Sequence, residues 1–200
     1  MASSDSKLLG CRYVKTERDI LNRLAHSPAV TDLYSTFQSN LELYYVMELC
    51  PNGELYTQIE RYTKQGGVPY EYAKWWAAEL VLAMGEIFAH GVIHRDIKPD
   101  NILLSYDNHI KLCDFGTAKF VGAPASAVAA VASGAPGRRG RGAQPSVSFV
   151  GSADYVSPEL LADEPQEASA ASDLWALGCV IYHLIAGQVG ARSYHVSGVC

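Results

Sequence analysis

The chain has 200 residues, 48% of them hydrophobic, so it can form one domain or two small lobes that share a core. A formal net charge of −5 argues against general nucleic-acid binding, which normally requires a basic surface. Its five cysteines are odd in number and lack metal-motif spacing, which indicates reduced thiols and a cytoplasmic protein. The first residues do not resemble a signal peptide, and no apolar run is long enough to span a bilayer. We therefore expect no direct insertion into a membrane.

Hydrophobic periodicity predicts a first helix over residues 12–26, because Val14, Leu21 and Leu24 recur at helical spacing. Glu17 falls on this apolar stripe, where a charge needs a partner. Taken alone, the pattern favours a glutamate at the edge of the stripe that reaches water.

The next elements alternate in type. Two β-rich segments predict strands on either side of a Gln-Ser-Asn turn. A short helix and a long amphipathic helix are expected next, followed by a β-hairpin whose second strand leads to Asp114. The predicted bounds are 30–37 and 41–49 for the strands, 54–61 and 69–90 for the helices, and 102–104 with 110–112 for the hairpin.

Residues 121–147 differ in composition from the rest of the chain. They contain eight Ala, five Gly, three Pro and three Arg, with no acidic residue, which predicts a disordered insert. The arginines could bind an acidic partner, but a solvated basic run in a linker is the favoured interpretation.

The stretch His94-Arg-Asp-Ile-Lys-Pro-Asp-Asn101 carries the chemistry of the chain. Asp96 and Asn101 are five positions apart with Lys98 between them, and Asp114-Phe-Gly follows thirteen residues after Asn101. Phosphoryl transfer needs a carboxylate for the acceptor hydroxyl, a lysine for the phosphoryl group, and ligands for magnesium. The carboxylate would be Asp96 and the lysine would be Lys98. The magnesium ligands would be Asn101 and Asp114. A capping residue in a turn could explain Asp96 or Asn101 singly, but not the ordered series.

Arg95 lies beside this carboxylate and is a cation in need of an anion. A phosphate on the activation loop is one candidate, and a nearby carboxylate is the other.

The ordered motifs resemble those of serine/threonine protein kinases of the AGC group, and among them the 3-phosphoinositide-dependent protein kinases. The resemblance covers residues 12 to 187 apart from the insert. The motifs that carry it are Glu17-Arg-Asp19, Tyr34-Ser-Thr-Phe-Gln38, Asn52-Gly-Glu-Leu55, His94 to Leu104, Asp114-Phe-Gly-Thr-Ala-Lys119, Ser148-Phe-Val-Gly151, Tyr155-Val-Ser-Pro-Glu-Leu-Leu161 and Ser172-Asp-Leu-Trp-Ala-Leu-Gly178.

The resemblance implies an ATP site and Mg²⁺ as cofactor. Met47 falls at the gatekeeper, and Glu48 to Cys50 fall at the hinge that hydrogen-bonds adenine. Glu54 would meet the ribose, and Leu103 would pack under the adenine.

Further roles follow from the resemblance. Glu17 falls at the helix glutamate that pairs with a strand lysine, which reverses the interpretation from periodicity alone. Ser148 falls at the serine that these kinases autophosphorylate, and Asp173 would brace the catalytic loop. Lys98 favours serine or threonine over tyrosine as the acceptor. A docking pocket for hydrophobic motifs of substrate kinases would be formed by Val14, Thr36, Gln38 and Leu43.

The chain also departs from the family pattern. Gly10 is the only glycine before Gly53, and only Lys7 and Lys15 precede Glu17, so we expect neither a glycine-rich loop nor a strand lysine. We expect an α+β, bilobal kinase-like fold with a truncated N-lobe at about 1–50, a mostly helical and incomplete C-lobe at 51–187, and an unrelated tail at 188–200.

The predicted function is ATP-dependent phosphorylation of serine or threonine in proteins, with activation loops of other AGC kinases as the expected substrates. We expect the isolated chain to be nearly inactive. The alternatives are an inactive, pseudokinase-like module that binds hydrophobic-motif peptides, and a truncated chain with no stable fold.

Overall fold

A computed structural model describes residues 4–40, 42–121, 153–162 and 167–188, without the side chains of 4–12 and 153. The predicted insert beyond Val121, Ser148, and the predicted tail beyond Gln188 lie outside these ranges. In the described part of the chain, no helix has both the length and the apolarity that crossing a membrane requires.

The first unit is a helix followed by a β-hairpin. Helix α1 spans Ser4–Arg23, and strands β1 (Leu33–Gln38) and β2 (Leu43–Met47) pair in antiparallel fashion. The helix begins before the expected residue 12, because no proline interrupts its first turns. It ends before the expected residue 26, where His26 takes a left-handed φ of 69° and Pro28 follows.

Helices dominate the second unit, as expected. The remaining elements are α2 (Leu55–Thr63), α3 (Tyr70–Ala89), β3 (Val92–Ile93), β4 (Ile102–Leu104), β5 (Ile110–Leu112), β6 (Lys119–Phe120), α4 (Pro158–Leu161) and α5 (Ala170–Ala186).

The core lies between α3 and α5 and extends to the strands. Trp76, Leu80 and Ile87 of α3 are buried, as are Val180 and Leu184 of α5. Burial of each such side chain stabilises the fold by roughly 1.5–3 kcal/mol. Both helices are therefore fixed scaffolds for the loops that they carry.

Capping signals fix both ends of α5. Ser169 and Ser172 form a reciprocal capping box at its start, and Gly187 ends it with a left-handed φ of 68°. Asp173, in the first turn, is thereby held at a defined position.

Short strand pairs place the loops of the site. β3 pairs with β6, and β4 pairs with β5 through the register Ile102↔Leu112 to Leu104↔Ile110, which confirms the predicted hairpin. The segment between β3 and β4 contains the predicted catalytic loop, His94 to Asn101, and the segment between β5 and β6 contains Asp114-Phe-Gly. Both segments therefore begin and end on paired strands.

Candidate active site

Asp173 anchors the catalytic loop to α5. Its two carboxylate oxygens accept hydrogen bonds from the backbone N–H groups of His94, at 2.6 Å, and Arg95, at 2.8 Å. Asp173 is only 2% exposed, and burial raises the pKa of its carboxyl against the opposing effect of His94 and Arg95. Arg95 has a left-handed φ of 71°, a conformation that persists only where neighbouring contacts impose it.

His94 links this loop to the Asp114 segment. Its Nδ1 accepts from the backbone N–H of Asp96 at 3.4 Å, so its Nε2 carries the proton that is donated to the Cys113 carbonyl oxygen at 3.0 Å. The ring is fully buried and lies 4.7 Å from the Phe115 ring. Thr117 Oγ1 donates to the His94 carbonyl oxygen at 3.1 Å. These contacts hold the two segments in register.

Asp96, Lys98 and Asn101 form one hydrogen-bonded cluster. Lys98 Nζ lies 2.8 Å from Asp96 Oδ2, and Asn101 Nδ2 donates to the same oxygen at 2.9 Å and to the Asp96 carbonyl oxygen at 2.8 Å. Both of these side-chain contacts use Oδ2, so Oδ1 remains to accept a proton from a substrate hydroxyl. The Asp96 side chain is 34% exposed, which gives a substrate access to it.

The electrostatics keep Lys98 charged. Burial opposes its charge, but the hydrogen bond and charge of Asp96, together with the charges of Asp100 and Asp114, raise its pKa overall. A permanent ammonium beside Asp96 suits a role in stabilising negative charge on a migrating phosphoryl group.

Asp114 lies at a left-handed turn with φ 58°, directly after β5. Its Oδ1 accepts from the Gly116 backbone N–H at 3.3 Å. A Cβ at position 116 would lie only 3.2 Å from that oxygen, so glycine there leaves room for the carboxylate. The Asp114 residue is exposed and open to a cation.

The predicted magnesium ligands fit a divalent cation. Asn101 uses its amide nitrogen on Asp96, which leaves its amide oxygen as the ligand atom that it can offer. The Cys113 N–H donates to the Asn101 carbonyl oxygen at 3.0 Å, which places Asn101 beside the Asp114 segment. Among the described residues no cluster of three or more His, Cys, Asp or Glu could hold a metal. One carboxylate and one amide, completed by phosphate and water oxygens, are a normal ligand set for Mg²⁺.

Glu17 reaches this site from α1, which packs on the turn Phe115–Thr117. Burial and, secondarily, the negative charge of Asp114 raise the pKa of the Glu17 carboxyl. Glu17 is half-buried, so it does not lie freely in water as periodicity alone predicts.

The predicted nucleotide residues come together in part. Glu54 and Leu103 form an isolated antiparallel bridge, so the expected ribose and adenine contacts are adjacent. Glu48 directs its side chain away from a ligand role, because its Oε2 lies 2.9 Å from Lys111 Nζ and accepts from the Asp32 N–H at 3.2 Å. Backbone groups of the segment from Glu48 to Cys50 are therefore what this hinge can offer to adenine.

Two cysteines line the interior behind the site. Burial raises the pKa of Cys50, with Glu48 contributing, and burial raises the pKa of Cys113 to about 12. Both are free thiols in the structure. Neither thiol is activated as a nucleophile.

Three of the four residues predicted to dock hydrophobic motifs, Thr36, Gln38 and Leu43, share one face of the β-hairpin. Thr36 and Gln38 alternate along β1, and the cross-strand pairs Thr36↔Tyr45 and Gln38↔Leu43 place all of them on one face. The Tyr45 hydroxyl donates to the Val14 carbonyl oxygen at 2.6 Å, which ties this face to α1. Leu43 is 53% exposed and available for contact.

Some contacts near the site, and the residue Glu167, were not predicted from the sequence. Lys119 forms an ion pair with Glu167, and Arg95 donates through its Nε to the Thr117 carbonyl oxygen. No sequence motif marks Glu167, because its partner lies 48 residues earlier in the chain. Only the tertiary structure brings the two together.

With this geometry in view, comparison with known proteins identifies the class. A protein kinase domain model matches residues 2–196, and the chain belongs to the protein kinase domain family. The α+β kinase-like fold expected from the motifs is thereby confirmed.

The chain is similar to named relatives of the expected kind, which confirms the resemblance to the 3-phosphoinositide-dependent protein kinases. It is 43% identical over 175 residues to human 3-phosphoinositide-dependent protein kinase 1, covering 88% of this chain and 28% of that protein. It is 40% identical over 177 residues to serine/threonine-protein kinase PKH2 of Saccharomyces cerevisiae, covering 88% and 15% respectively. It is 41% identical over 191 residues to serine/threonine-protein kinase ppk21 of Schizosaccharomyces pombe, covering 93% of this chain and 30% of that protein.

These relatives are all much longer than the chain, which spans 15% to 30% of their lengths. All three are named as kinases, so the alternative of a pseudokinase-like binding module has no support from them.

Proposed function

We propose that the chain is the core of an ATP-dependent protein-serine/threonine kinase. The observation that carries this proposal is the cluster of Asp96, Lys98 and Asn101, held in place by the buried Asp173. A carboxylate with one open oxygen, a charged lysine and an amide oxygen within one short loop suit phosphoryl transfer to a hydroxyl. The family membership and the serine/threonine kinase names of the relatives support the same reaction.

The roles in the reaction follow from the geometry. Asp96 Oδ1 would orient the acceptor hydroxyl and take its proton as the hydroxyl oxygen bonds to the γ-phosphorus of ATP, while the bond from that phosphorus to the β–γ bridging oxygen breaks and ADP leaves. Lys98 stabilises the charge on the transferring group, since its ammonium is fixed 2.8 Å from Asp96. Mg²⁺, when bound through Asn101 and Asp114, neutralises charge on the phosphates. Catalysis on this account is mostly positioning and electrostatics.

For the nucleotide, we assign the adenine to the segment from Glu48 to Cys50 and to Leu103, and the ribose to Glu54. The adjacency of Glu54 and Leu103 supports this placement. Glu17 is assigned the position of the helix glutamate in the family pattern, whose partner lysine we do not expect in this chain.

The proposed substrates are activation loops of other AGC kinases, in the cytoplasm. These partners would dock a hydrophobic motif on the face formed by Val14, Thr36, Gln38 and Leu43. The exposed side chain of Leu43 supports such docking, because it shares a face of the hairpin with Tyr45, which bonds to Val14 of α1.

Docking can be tested by calorimetry with a Phe-x-x-Phe peptide. We expect Leu43→Ala to weaken binding about three- to tenfold, the usual effect of removing one apolar anchor. Val46→Ala is the matched control, because Val46 is 42% exposed on the opposite face of the same strand. Equal affinities for both variants, or no heat with the unaltered chain, would remove this docking site.

Ser148 lies outside the described residues, and its phosphorylation remains part of the proposal. A phosphate there would pair with Arg95. In a complete version of the enzyme that also carries a glycine-rich loop and a strand lysine, Ser148→Ala should lower kinase activity, and unchanged activity would exclude the role.

A further inference from the structure

A cationic pair lies beside the catalytic loop, formed by Arg95 and Lys119. The register of β3 and β6 sets Lys119 opposite Ile93, two residues before Arg95. The Arg95 Nε donates to the carbonyl oxygen of Thr117, two residues before Lys119. Backbone pairing therefore places residues 95 and 119 near each other.

Arg95 has little freedom to leave this position. Its backbone N–H is bound to Asp173 Oδ1 at 2.8 Å, and its φ of 71° is imposed by that contact. Arg95 is consequently held in place before any ligand arrives, which lowers the cost of binding an anion.

The chain supplies an anion of its own. Glu167 Oε1 forms an ion pair with Lys119 Nζ, and the two side chains are 76% and 42% exposed. The hydrogen bond and charge of Lys119 lower the pKa of Glu167, burial opposes this effect, and the charge of Arg95 adds a smaller lowering of its own. The carboxylate therefore lies within the field of both cations.

We propose that Glu167 is a built-in competitor for the anion site of Arg95 and Lys119, and that a phosphate group must displace it to bind there. The proposal rests in part on the proposed function, which gives Arg95 a phosphate partner. Its new element is the Glu167 carboxylate, which occupies the site while no phosphate is bound and so weakens the binding of phosphate.

The chemistry favours such an exchange. A phosphate monoester carries about −1.5 to −2 charges and three acceptor oxygens, whereas a carboxylate carries one charge and two oxygens. The Lys119–Glu167 pair is exposed, and exposed pairs contribute little to stability, so its loss costs little. Chloride and acetate, with one charge, lack the phosphate's advantage over Glu167. The site is thereby selective for a dianion.

The test is a calorimetric titration of the full chain with inorganic phosphate, at low ionic strength and without nucleotide. We expect Glu167→Gln to bind phosphate about three- to tenfold more tightly, because it removes one negative charge close to the ligand. Glu71→Gln, an exposed residue in the first turn of α3, is the matched control and should leave the affinity unchanged. Lys119→Gln should lose phosphate binding whether or not Glu167 is present.

A second arm distinguishes the source of the phosphate. In a chain that carries phosphoserine at position 148, added phosphate should no longer bind if that phosphoserine fills the site. Continued binding would assign the site to a phosphate on another molecule, and the gain in Glu167→Gln would still support competition.

Equal phosphate affinity in the unaltered chain and Glu167→Gln would overturn the proposal, as would undetectable binding to both. The proposal would also be overturned if the gain in phosphate affinity of Glu167→Gln persisted in the double variant that also carries Lys119→Gln. Because no ATP is present, these outcomes are independent of whether the chain has kinase activity.

Discussion

The contact between Asp173 and the catalytic loop allows a quantitative prediction for Asp173→Asn. The substitution keeps the shape of the side chain but replaces one acceptor oxygen with an NH₂ donor. One of the two N–H groups, of His94 or Arg95, then faces a donor inside a site where residue 173 is 2% exposed.

The magnitude follows from the lost contact. A hydrogen bond to a charged group contributes about 1.5–3 kcal/mol, and a buried unpaired N–H costs about 1–3 kcal/mol. Part of this loss in stability is recovered because the asparagine amide is neutral. Burial disfavours the charged carboxylate of Asp173, as the raised pKa of that group indicates. We expect the free energy of unfolding to fall by about 2–3 kcal/mol, a large part of the total for a domain of this size.

Urea unfolding followed by far-UV circular dichroism measures this difference. Asp107→Asn is the matched control, because Asp107 is exposed in the turn of the β4–β5 hairpin and should change stability by less than about 0.5 kcal/mol. If Asp173→Asn also stays within about 0.5 kcal/mol of the unaltered chain, the carboxylate is not what holds the catalytic loop.

Two further predictions concern groups with shifted pKa values. Burial lowers the pKa of His183 from 6.5, and its Nδ1 lies 2.9 Å from the Tyr155 hydroxyl oxygen. As pH falls, the His183 imidazole therefore takes up a proton in the unfolded chain before it does so in the folded chain, and the free energy of unfolding should decrease below pH 6.5. In urea titrations, His183→Gln should reduce the dependence of the free energy of unfolding on pH in this range. An unchanged pH dependence would assign the effect to another group. The thiol of Cys113, with its pKa raised to about 12, should react with iodoacetamide at about pH 8 at least about 100-fold more slowly than a free thiol, measured by peptide mass mapping. Rapid alkylation of the folded chain would contradict the burial of that thiol.

Local patterns were sufficient to predict several elements. The hairpin at residues 102–104 and 110–112 follows from two short apolar runs around a turn, and its pairing depends on neighbours in the sequence. The ordered spacing from His94 to Asp114 likewise indicated residues that the structure brings together, because the paired strands β3 to β6 hold both loops. The carboxylate that anchors the first loop, Asp173, lies in α5, 79 residues after His94.

Long-range contacts were beyond the sequence patterns. Periodicity placed Glu17 at a solvent edge, yet packing of α1 on the Phe115 turn half-buries it near Asp114. The pairing of Glu48 with Lys111 bridges 63 residues of chain. Such contacts depend on how helices pack, and no spacing rule encodes them.

The most direct test is a radiometric phosphoryl-transfer assay with γ-labelled ATP and a protein substrate. The assay compares the 200-residue chain with a chimera in which an added N-terminal segment carries a glycine-rich loop and a strand lysine, the two parts that the kinase pattern requires and that we do not expect in this chain. We predict low turnover by the chain itself and clear turnover by the chimera. Asp96→Asn in the chimera should reduce turnover about 10²–10⁴-fold, the contribution of a general base, without unfolding it. Turnover within about threefold of the unaltered chimera would contradict the assignment of Asp96 and the phosphoryl-transfer centre built around it.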